Sequence, residues 1–362
     1  MSLLGKIKKN EVALTLEDYT LLLLGEPKSG KTSLFANLVE EFYQDSTKGL
    51  LIPFEKGYRA INNVQVFPHT IMDDMIIDGS TEYGWDVFCD LVQELVETKE
   101  ENGIKILCID TIDEFLEVAS TAVMRASFKH NGKISKSLND AFGGYGNGAK
   151  KLGQMVKEQV ERLKNAGYGI VFTGHTKYKT IKTKMTDDEY SVLGSNLNEN
   201  LFAIIANSVD IIAMITIERD IVDKEIVSQE RYIRFRGDGF YVAGSRFANF
   251  PEKIHYGAKE FKEAYVTAIK GASNLDGKAL IEKQAEQEKE NAKVGAEVNK
   301  ALEAKKEYKV KVITTLKEVC KENKWGAKLK AFSDKHDISF KVPEDLSDEI
   351  IDLIVNEFGL KI

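Results

Sequence analysis

The sequence predicts an α/β fold in which helices cover both faces of a mostly parallel sheet. Apolar runs of strand length alternate along the chain with amphipathic segments of helical length, a pattern typical of parallel sheets. The first apolar run, residues 19–24, leads directly into a glycine-containing loop at residues 25–32 and then into a helix. The length of 362 residues, 43% of them hydrophobic, suits one large domain with a smaller second unit.

Each strand and helix is predicted from the spacing of its apolar residues. After the loop, Leu34, Leu38 and Phe42 recur at the spacing of one helix face. The predicted strands are residues 19–24, 49–54, 104–109, 169–173 and 209–217, and the predicted helices are residues 33–43, 85–99, 114–128 and 149–165. Residues 231–236 and 239–242 are predicted to form a hairpin pair, with Gly237 and Asp238 in the turn.

The C-terminal part of the chain differs in composition. Residues 277–309 are dense in Lys, Glu, Ala and Gln, which indicates a long exposed helix or a charged linker. Amphipathic segments at 310–323 and 345–358 predict a small helical unit. The expected division is therefore an α/β core at residues 1–272, a charged helical linker at 273–307 and a helical unit at 308–362.

Composition excludes several classes of protein. With a formal net charge of −7, the overall electrostatic field of the protein does not attract nucleic acid, so any contact with nucleic acid would need a local basic patch. The three cysteines, Cys89, Cys108 and Cys320, form no CxxC pair and are expected to be reduced thiols. No apolar stretch approaches the roughly 20 residues that span a bilayer, and no signal peptide is evident. We expect a soluble, cytoplasmic protein without a membrane partner.

The loop at residues 25–32 has the pattern GxxxxGK[ST]. In this pattern the glycines let backbone N–H groups point at phosphates, the lysine offsets phosphate charge and the last hydroxyl binds Mg²⁺. The loop therefore predicts that the protein binds ATP with Mg²⁺, with Lys31 as the phosphate lysine and Thr32 as a metal ligand. The expected nucleotide contacts are Gly25, Glu26, Pro27, Lys28, Ser29, Gly30, Lys31, Thr32 and Ser33.

Two carboxylates are candidates for the rest of the site. Asp110 ends an apolar strand and is expected to hold Mg²⁺ through water, although such an Asp can also cap the following helix. Glu55 follows the second strand, where a water-activating base would face the γ-phosphate if the second strand neighbours the strand before the loop; it could instead be a solvated loop residue. Its rivals, Asp113 and Glu114, also suit the first turn of a helix.

The order of these segments resembles a known family. The loop is followed by Glu55-Lys56-Gly57, by a strand ending in Asp110-Thr111, and by residues 171–175, which end in His175. Over residues 15–270 this resembles the RecA-like NTPase core, in particular the small phage ATPases of the AAA_24 type, related to RecA-like single-strand annealing recombinases. The resemblance implies that Glu55 activates water and that His175 senses the γ-phosphate, unless His175 only closes the strand end.

In RecA-like proteins the loop after this last strand enters a central channel and touches DNA. Here it carries a basic patch, whose candidate DNA-binding residues are Lys177, Tyr178, Lys179, Lys182 and Lys184. Lysines can contact phosphates, and a tyrosine can stack on a base. Two alternatives stay open, a contact with the neighbouring subunit's nucleotide and a plain solvated hairpin strand. RecA-like motors also place an arginine to complete a neighbour's ATP site, and Arg246 is the candidate.

The leading hypothesis is a Mg-ATP-dependent, DNA-binding ATPase of phage-type recombination or single-strand annealing. It would act on single-stranded DNA as a homo-oligomer. The alternatives are a helicase-related or loader ATPase whose partner is a protein such as a single-strand-binding protein or a helicase, a nucleotide-gated switch with little hydrolysis, and a small-molecule kinase. Residues 177–188 contain no arginine, which disfavours the arginine-rich lid of such a kinase.

Overall fold

The computed structural model describes residues 12–77, 80–132, 135–182, 189–273, 277–336, 340, 343 and 346–360. The chain separates into two compact units, residues 1–292 and residues 293–362. The finer division into core, linker and C-terminal unit stays a prediction. Within the described part of the chain, no helix is both long enough and apolar enough to cross a membrane.

The first unit is built on one large sheet. Its main strands are β1 (Thr20–Gly25), β2 (Gly49–Pro53), β3 (Gln65–Val66), β6 (Ile106–Asp110), β7 (Gly169–Lys182), β9 (Ile211–Val222), β10 (Glu225–Arg234) and β12 (Lys253–His255). They lie in the order β12-β10-β9-β1-β7-β6-β2-β3, with β8 (Glu189–Ser195) on β7 and β11 (Gly244–Ser245) on β9. The strands from β9 to β3 run parallel, and β10 and β12 are antiparallel additions at one edge. A separate hairpin pairs β4 (Asp74–Ile77) with β5 (Ser80–Tyr83).

Helices cover both faces of the sheet, as predicted. The helices of the first unit include α1 (Lys31–Tyr43), α2 (Gly84–Glu97), α3 (Lys99–Asn102), α4 (Ile112–Asn131), α5 (Asn147–Asn165), α6 (Glu199–Ala206) and α7 (Ala258–Ser273). On one face, Leu21 and Leu23 join the core under α1 and α7. On the other face, Phe172, which is paired with Leu22, packs against Phe115 of α4. Alternation along each strand thus divides the apolar residues between two cores.

The predicted hairpin near residue 237 is wrong. Strand β10 instead pairs with β9, and the turn between them is Asp223-Lys224. Both turn residues have positive φ, 49° and 67°, the conformation of a tight two-residue hairpin turn. The carbonyl oxygen of Tyr241 would lie 2.7 Å from a Cβ at Gly237, so this glycine permits a close approach of backbone rather than a strand turn.

Strand β7 is much longer than the predicted segment 169–173. Its first six residues are buried, and it continues to Lys182 as an exposed strand that pairs with β8. The alternation of lysines after His175, weighed above as a loop or a hairpin strand, belongs to this two-stranded ribbon. The ribbon, residues 176–182 paired with 189–195, projects from the carboxyl edge of the parallel sheet.

The second unit has its own apolar core. Helix α8 (Gly277–Glu322) supplies Val312 and Leu316, α9 (Gly326–His336) supplies Phe332, and α10 (Asp348–Phe358) supplies Ile354. Ser347 caps α10 by accepting a hydrogen bond from the N–H of Ile350. The predicted C-terminal helices are present in the structure, consistent with their amphipathic spacing.

Candidate nucleotide site

The loop at residues 25–32 joins β1 to α1, as the sequence pattern requires. It folds back on itself through a hydrogen bond from the N–H of Ser29 to the carbonyl of Glu26, 3.1 Å. Gly30 has φ +103°, a conformation that strains any other residue. The first turn of α1 then directs its N–H groups into the concave side of the loop, because these groups have no acceptor within the helix.

Lys31 lies over the mouth of this loop. Its Nζ donates to the carbonyls of Gly25 and Glu26, each at 3.0 Å, and lies 3.4 Å from Nδ1 of His175. Burial lowers the pKa of Lys31, while Asp110 and Glu55 oppose that shift. A bound phosphate would compete with these loop carbonyls for the ammonium group.

Strand alternation brings the predicted site residues to one face of the sheet. Asp110 lies two positions after Cys108, which packs in the α1 core, and Thr173 pairs with Asp110 on the neighbouring strand. His175 ends up beside Gly25 in the register of β7 on β1. Glu55 continues the same alternation past the end of β2. The second strand does not neighbour the loop strand, as the prediction for Glu55 assumed, because β7 and β6 lie between β1 and β2. Four separate segments therefore converge at the carboxyl edge of the sheet, under α1.

Asp110 is buried and held by two hydroxyl groups. One oxygen accepts from Thr32 at 3.0 Å, and the other accepts from Thr173. Burial raises the pKa of Asp110, whereas these two hydrogen bonds and Lys31 lower it. A hydroxyl and a carboxylate side by side fit Mg²⁺, which takes one or two protein oxygens together with substrate phosphates and water. Thr32 and Asp110 are the residues that would hold it.

Glu55, His175 and Lys31 form a chain of polar contacts. Nε2 of His175 lies 3.1 Å from Oε2 of Glu55, and Nδ1 faces the Lys31 ammonium. Because an ammonium can only donate, Nδ1 is assigned as the acceptor and Nε2 as the N–H that donates to Glu55. The chain runs from the phosphate loop to the carboxylate proposed to activate water.

The two rivals of Glu55 have different surroundings. One oxygen of Asp113 accepts the backbone N–H of His175 at 3.0 Å, and its other oxygen is buried without a hydrogen-bond partner among the described residues. Glu114 is exposed at the first turn of α4; partial burial and then the Glu55 carboxylate raise its pKa. Asp113 therefore fixes the backbone of His175. Among the described residues, Glu114 makes no hydrogen bond with the phosphate loop or with the His175 ring.

Arg246 lies at the amino end of the parallel strands, opposite the end that carries the phosphate loop. Its guanidinium pairs with Asp210 at 2.9 Å, and Asp210 also accepts the N–H of Thr20, the first residue of β1. The phosphate loop begins at the other end of β1, about 16 Å away at the rise of a strand. The Arg246 side chain is 66% exposed, so a role in a neighbour's site stays a prediction.

The candidate DNA-binding residues lie on the projecting ribbon, with the exception of Lys184, which falls outside the described residues. Lys177 and Tyr178 are exposed. The Nζ of Lys179 donates to the carbonyl of Leu197 at 2.7 Å, and Lys182 pairs with Glu189 at 2.7 Å. Tyr178 points to the opposite face of the ribbon from Lys177 and Lys179, because successive residues of a strand alternate.

Residues 17–247, more than half of the chain, match the AAA_24 family, described as an AAA domain. The chain belongs to the AAA_24 family. This match confirms the AAA_24 resemblance predicted from the sequence. The relation to single-strand annealing recombinases stays a prediction.

Two further proteins are similar to this AAA_24 chain. The SPbeta prophage-derived uncharacterized protein YorG of Bacillus subtilis (strain 168) is 20% identical over 304 residues, which cover 83% of this chain and 82% of that one. A KaiC-like protein from Pyrococcus horikoshii OT3, known by its crystal structure, is 11% identical with a TM-score of 0.36, covering 67% of this chain and 88% of that one.

Two residues at the AAA_24 phosphate loop escape prediction from the sequence. The hydroxyl of Tyr256 donates to the carbonyl of Gly30 at 2.8 Å, and Arg231 reaches the carbonyl of Ser29 at 3.4 Å. The Arg231 guanidinium also lies 4.3 Å from the centroid of the Tyr256 ring, a cation–π contact. No local pattern marks either residue, because both reach the loop from more than 200 positions along the chain.

Proposed function

We propose that this AAA_24 protein is a Mg-ATP-dependent ATPase whose hydrolysis is coupled to single-stranded DNA, in phage-type recombination or strand annealing in the host cytoplasm. It would work as a homo-oligomer. The observation that carries the proposal is the continuity of β7, whose buried half holds Thr173 and His175 in the nucleotide site. Its exposed half carries Lys177, Lys179 and Lys182.

The arrangement of the site supports hydrolysis as well as binding. Lys31 and the N–H groups of the loop would bind the phosphates. Mg²⁺, when bound between Thr32 and the Asp110 carboxylate, would supply charge stabilisation at the phosphoryl oxygens. Glu55 lies beyond Lys31 and would accept a proton from the attacking water, and His175 would hold its carboxylate in position.

Coupling would follow from the competition for Lys31. A γ-phosphate would draw the Lys31 ammonium from Nδ1 of His175, a contact that is only 3.4 Å long in this structure. His175 would then be free to turn toward the phosphate. Because His175 and Lys177 belong to one strand, a shift of the backbone at His175 would displace Lys177 unless it is absorbed where β7 leaves the sheet, and the DNA contact would then respond to the state of the nucleotide.

The test is ATP hydrolysis by the full chain with and without single-stranded DNA. We expect stimulation by DNA in the wild type and loss of hydrolysis in Lys31→Ala. Replacement of Lys177 and Lys179, which share one face of the ribbon, by Ala should weaken DNA binding and reduce the salt slope by about 0.7 for each lost phosphate contact. Replacement of Lys259 and Lys270, exposed lysines of α7, is the charge-matched control.

The outcomes separate the proposals. Absence of both DNA binding and DNA stimulation at low salt would refute the coupling to DNA while leaving the ATPase proposal standing. Equal salt slopes for the ribbon variant and the α7 control would refute the assignment of the ribbon. Wild-type hydrolysis by Lys31→Ala would refute the nucleotide site itself.

One observation favours the alternative of a protein partner. The outer end of the β9–β10 hairpin exposes four aliphatic side chains, each more than half exposed: Ile221, Val222, Ile226 and Val227. Exposed apolar clusters of this kind mark protein contacts. If this alternative is correct, Ile226→Asp should abolish binding of a single-strand-binding protein or helicase in analytical ultracentrifugation and leave self-association and DNA affinity unchanged; unchanged binding of that partner would exclude the hairpin as the contact.

A further inference from the structure

The two faces of the projecting ribbon differ in chemistry. The register pairs Lys179 with Val192 and Ile181 with Tyr190, so these residues share one face with Lys177. We call this face the lysine face. Tyr178, paired with Leu193, lies on the opposite face, together with Lys182, whose charge is paired with Glu189. On the lysine face, the diagonal neighbours Lys179 and Tyr190 are separated by about 7 Å, the usual cross-strand diagonal.

A distant segment adds a second aromatic ring beside Tyr190. The Phe240 ring centroid lies 6.3 Å from that of Tyr190, with the ring planes at 83°. Both rings remain open to solvent, since Phe240 is 57% exposed and Tyr190 is 36% exposed. An aromatic pair left open on a ribbon that also carries lysines is not explained by packing of the core.

The backbone fixes Phe240 in this place. Its carbonyl accepts the N–H of Leu193 at 2.8 Å, and the N–H of Val242 donates to the carbonyl of Leu193 at 3.1 Å. Residues 240–242 thus run alongside β8 as a further strand-like segment. The N–H of Phe240 also donates to the side chain of Asp238 at 2.9 Å, which orders the turn before it.

We infer that Tyr190 and Phe240 form a base-stacking platform for single-stranded nucleic acid on the lysine face of the ribbon. The inference rests on the proposed function and adds to it the groups that contact bases. Lys177, exposed on the same face, complements a phosphate backbone, while an open aromatic ring offers a base its π-face. An apolar protein surface would match the rings and leave the lysine charge without a partner.

With bases on the platform, Tyr178 would not stack on a base, in contrast to the prediction from the sequence. Tyr178 is 67% exposed, but it lies on the face opposite Lys177 and Lys179. A strand lying across the lysine face would not meet its ring. Tyr178→Ala is therefore a matched control, since it removes an exposed aromatic ring from the same ribbon without touching the platform.

The test compares a fluorescent oligothymidylate with an abasic oligonucleotide of equal length and charge, by anisotropy with the full chain. Phe240→Ala and Tyr190→Ala should each weaken binding of the first roughly tenfold, within the range for one base–aromatic stack. Neither should change the affinity for the abasic strand or the salt slope. Tyr178→Ala should change neither affinity. In Phe240→Trp, oligothymidylate but not the abasic strand should quench the added fluorescence.

Each outcome decides the matter. Wild-type affinity in both Ala variants, with DNA binding intact, would overturn the platform and leave the proposed function standing. Equal weakening for both oligonucleotides would also overturn it, because the rings would then act by supporting the ribbon. Weaker oligothymidylate binding in Tyr178→Ala but not in Phe240→Ala would overturn the platform and place the bases on the face of Tyr178. Failure of the wild type to bind either strand at low salt would refute both the platform and the proposed role of DNA.

Discussion

Replacement of Glu55 by Gln is the sharpest test of the hydrolytic site. The carboxylate of Glu55 is 45% exposed and contacts Nε2 of His175 at 3.1 Å. The amide of Gln keeps the size of the side chain and an oxygen that can accept the same hydrogen bond, but it cannot take up a proton from water. We therefore expect nucleotide binding to persist in Glu55→Gln while hydrolysis fails.

The magnitude follows from the role assigned to the carboxylate. A positioned general base contributes about 10²–10⁴ in rate, which corresponds to about 3–5 kcal/mol in the barrier. The contacts of Lys31 and Thr32 with the loop and with Asp110 do not involve Glu55. The affinity for Mg-ATP should therefore change by less than about 1 kcal/mol, the size of one ordinary hydrogen bond.

The assay is phosphate release in single turnover, with nucleotide affinity measured separately by a fluorescent ATP analogue. Glu114→Gln is the matched control, since it makes the same chemical change at an exposed carboxylate nearby. Hydrolysis by Glu55→Gln at the wild-type rate would refute the assignment. A loss of hydrolysis in Glu114→Gln but not in Glu55→Gln would assign the general base to Glu114 of α4.

A double-mutant cycle with His175 extends the test. If His175 acts only by holding Glu55, then His175→Ala should slow the wild type and add little to Glu55→Gln. If the fold-losses in hydrolysis rate of the two single variants multiply in the double variant, His175 has a separate role at the γ-phosphate. The 3.1 Å contact alone does not distinguish these roles, because a positioning residue and a sensor would both lie there.

Four further predictions follow from other contacts. Phe115→Ala should lower the free energy of unfolding by about 3–5 kcal/mol in urea denaturation, because its ring packs among several aromatic rings; a loss under 1 kcal/mol would contradict this. Tyr256→Phe should lower nucleotide affinity about tenfold or less, by freeing the Gly30 carbonyl, and unchanged affinity would make the contact incidental. Burial raises the pKa of Cys89 to about 12, so its alkylation at pH 8, followed by mass spectrometry, should be about a hundredfold slower in the native chain than in the unfolded chain; equal rates would contradict this. Arg246→Ala should bind ATP normally and, if Arg246 serves a neighbour, lose hydrolysis that is restored by mixing with Lys31→Ala; full activity on its own would exclude that role.

The nucleotide site could be predicted from the sequence because each of its parts is local. The loop stands between an apolar strand and an amphipathic helix, and Asp110 ends an apolar strand. Because successive side chains of a strand point to opposite faces of the sheet, residues two positions apart reach the same face. The 3.1 Å contact between Glu55 and His175 could not be predicted in this way, because β6 lies between β2 and β7 and only the order of the strands in the sheet brings the two side chains together.

The errors arose where a turn had no glycine signal. Asp223 and Lys224 adopt positive φ without the Asn-Gly or Asp-Gly pair that marks such hairpins. Gly237, which lies in a Gly-Asp-Gly run, carried the stronger local signal and misplaced the hairpin. Contacts from distant segments, such as Tyr256 on the loop and Phe240 on the ribbon, leave no trace in local periodicity, since tertiary packing alone brings them together.

Strand β7 shows why the proposed coupling between the nucleotide site and the ribbon would need no other structural element. Thr173, His175, Lys177 and Lys179 occupy alternate positions and so share one side of a single strand, apart from its gradual twist. Thr173 bonds the Asp110 carboxylate and His175 bonds Glu55, whereas Lys177 lies about 7 Å beyond His175 at the rise of a strand. A paired strand resists stretching, because any change in its length would break hydrogen bonds to β1 and β8. A displacement of His175 must therefore either move the lysine face as a body or be absorbed at the point where β7 leaves the sheet, and the dependence of DNA affinity on the bound nucleotide distinguishes the two.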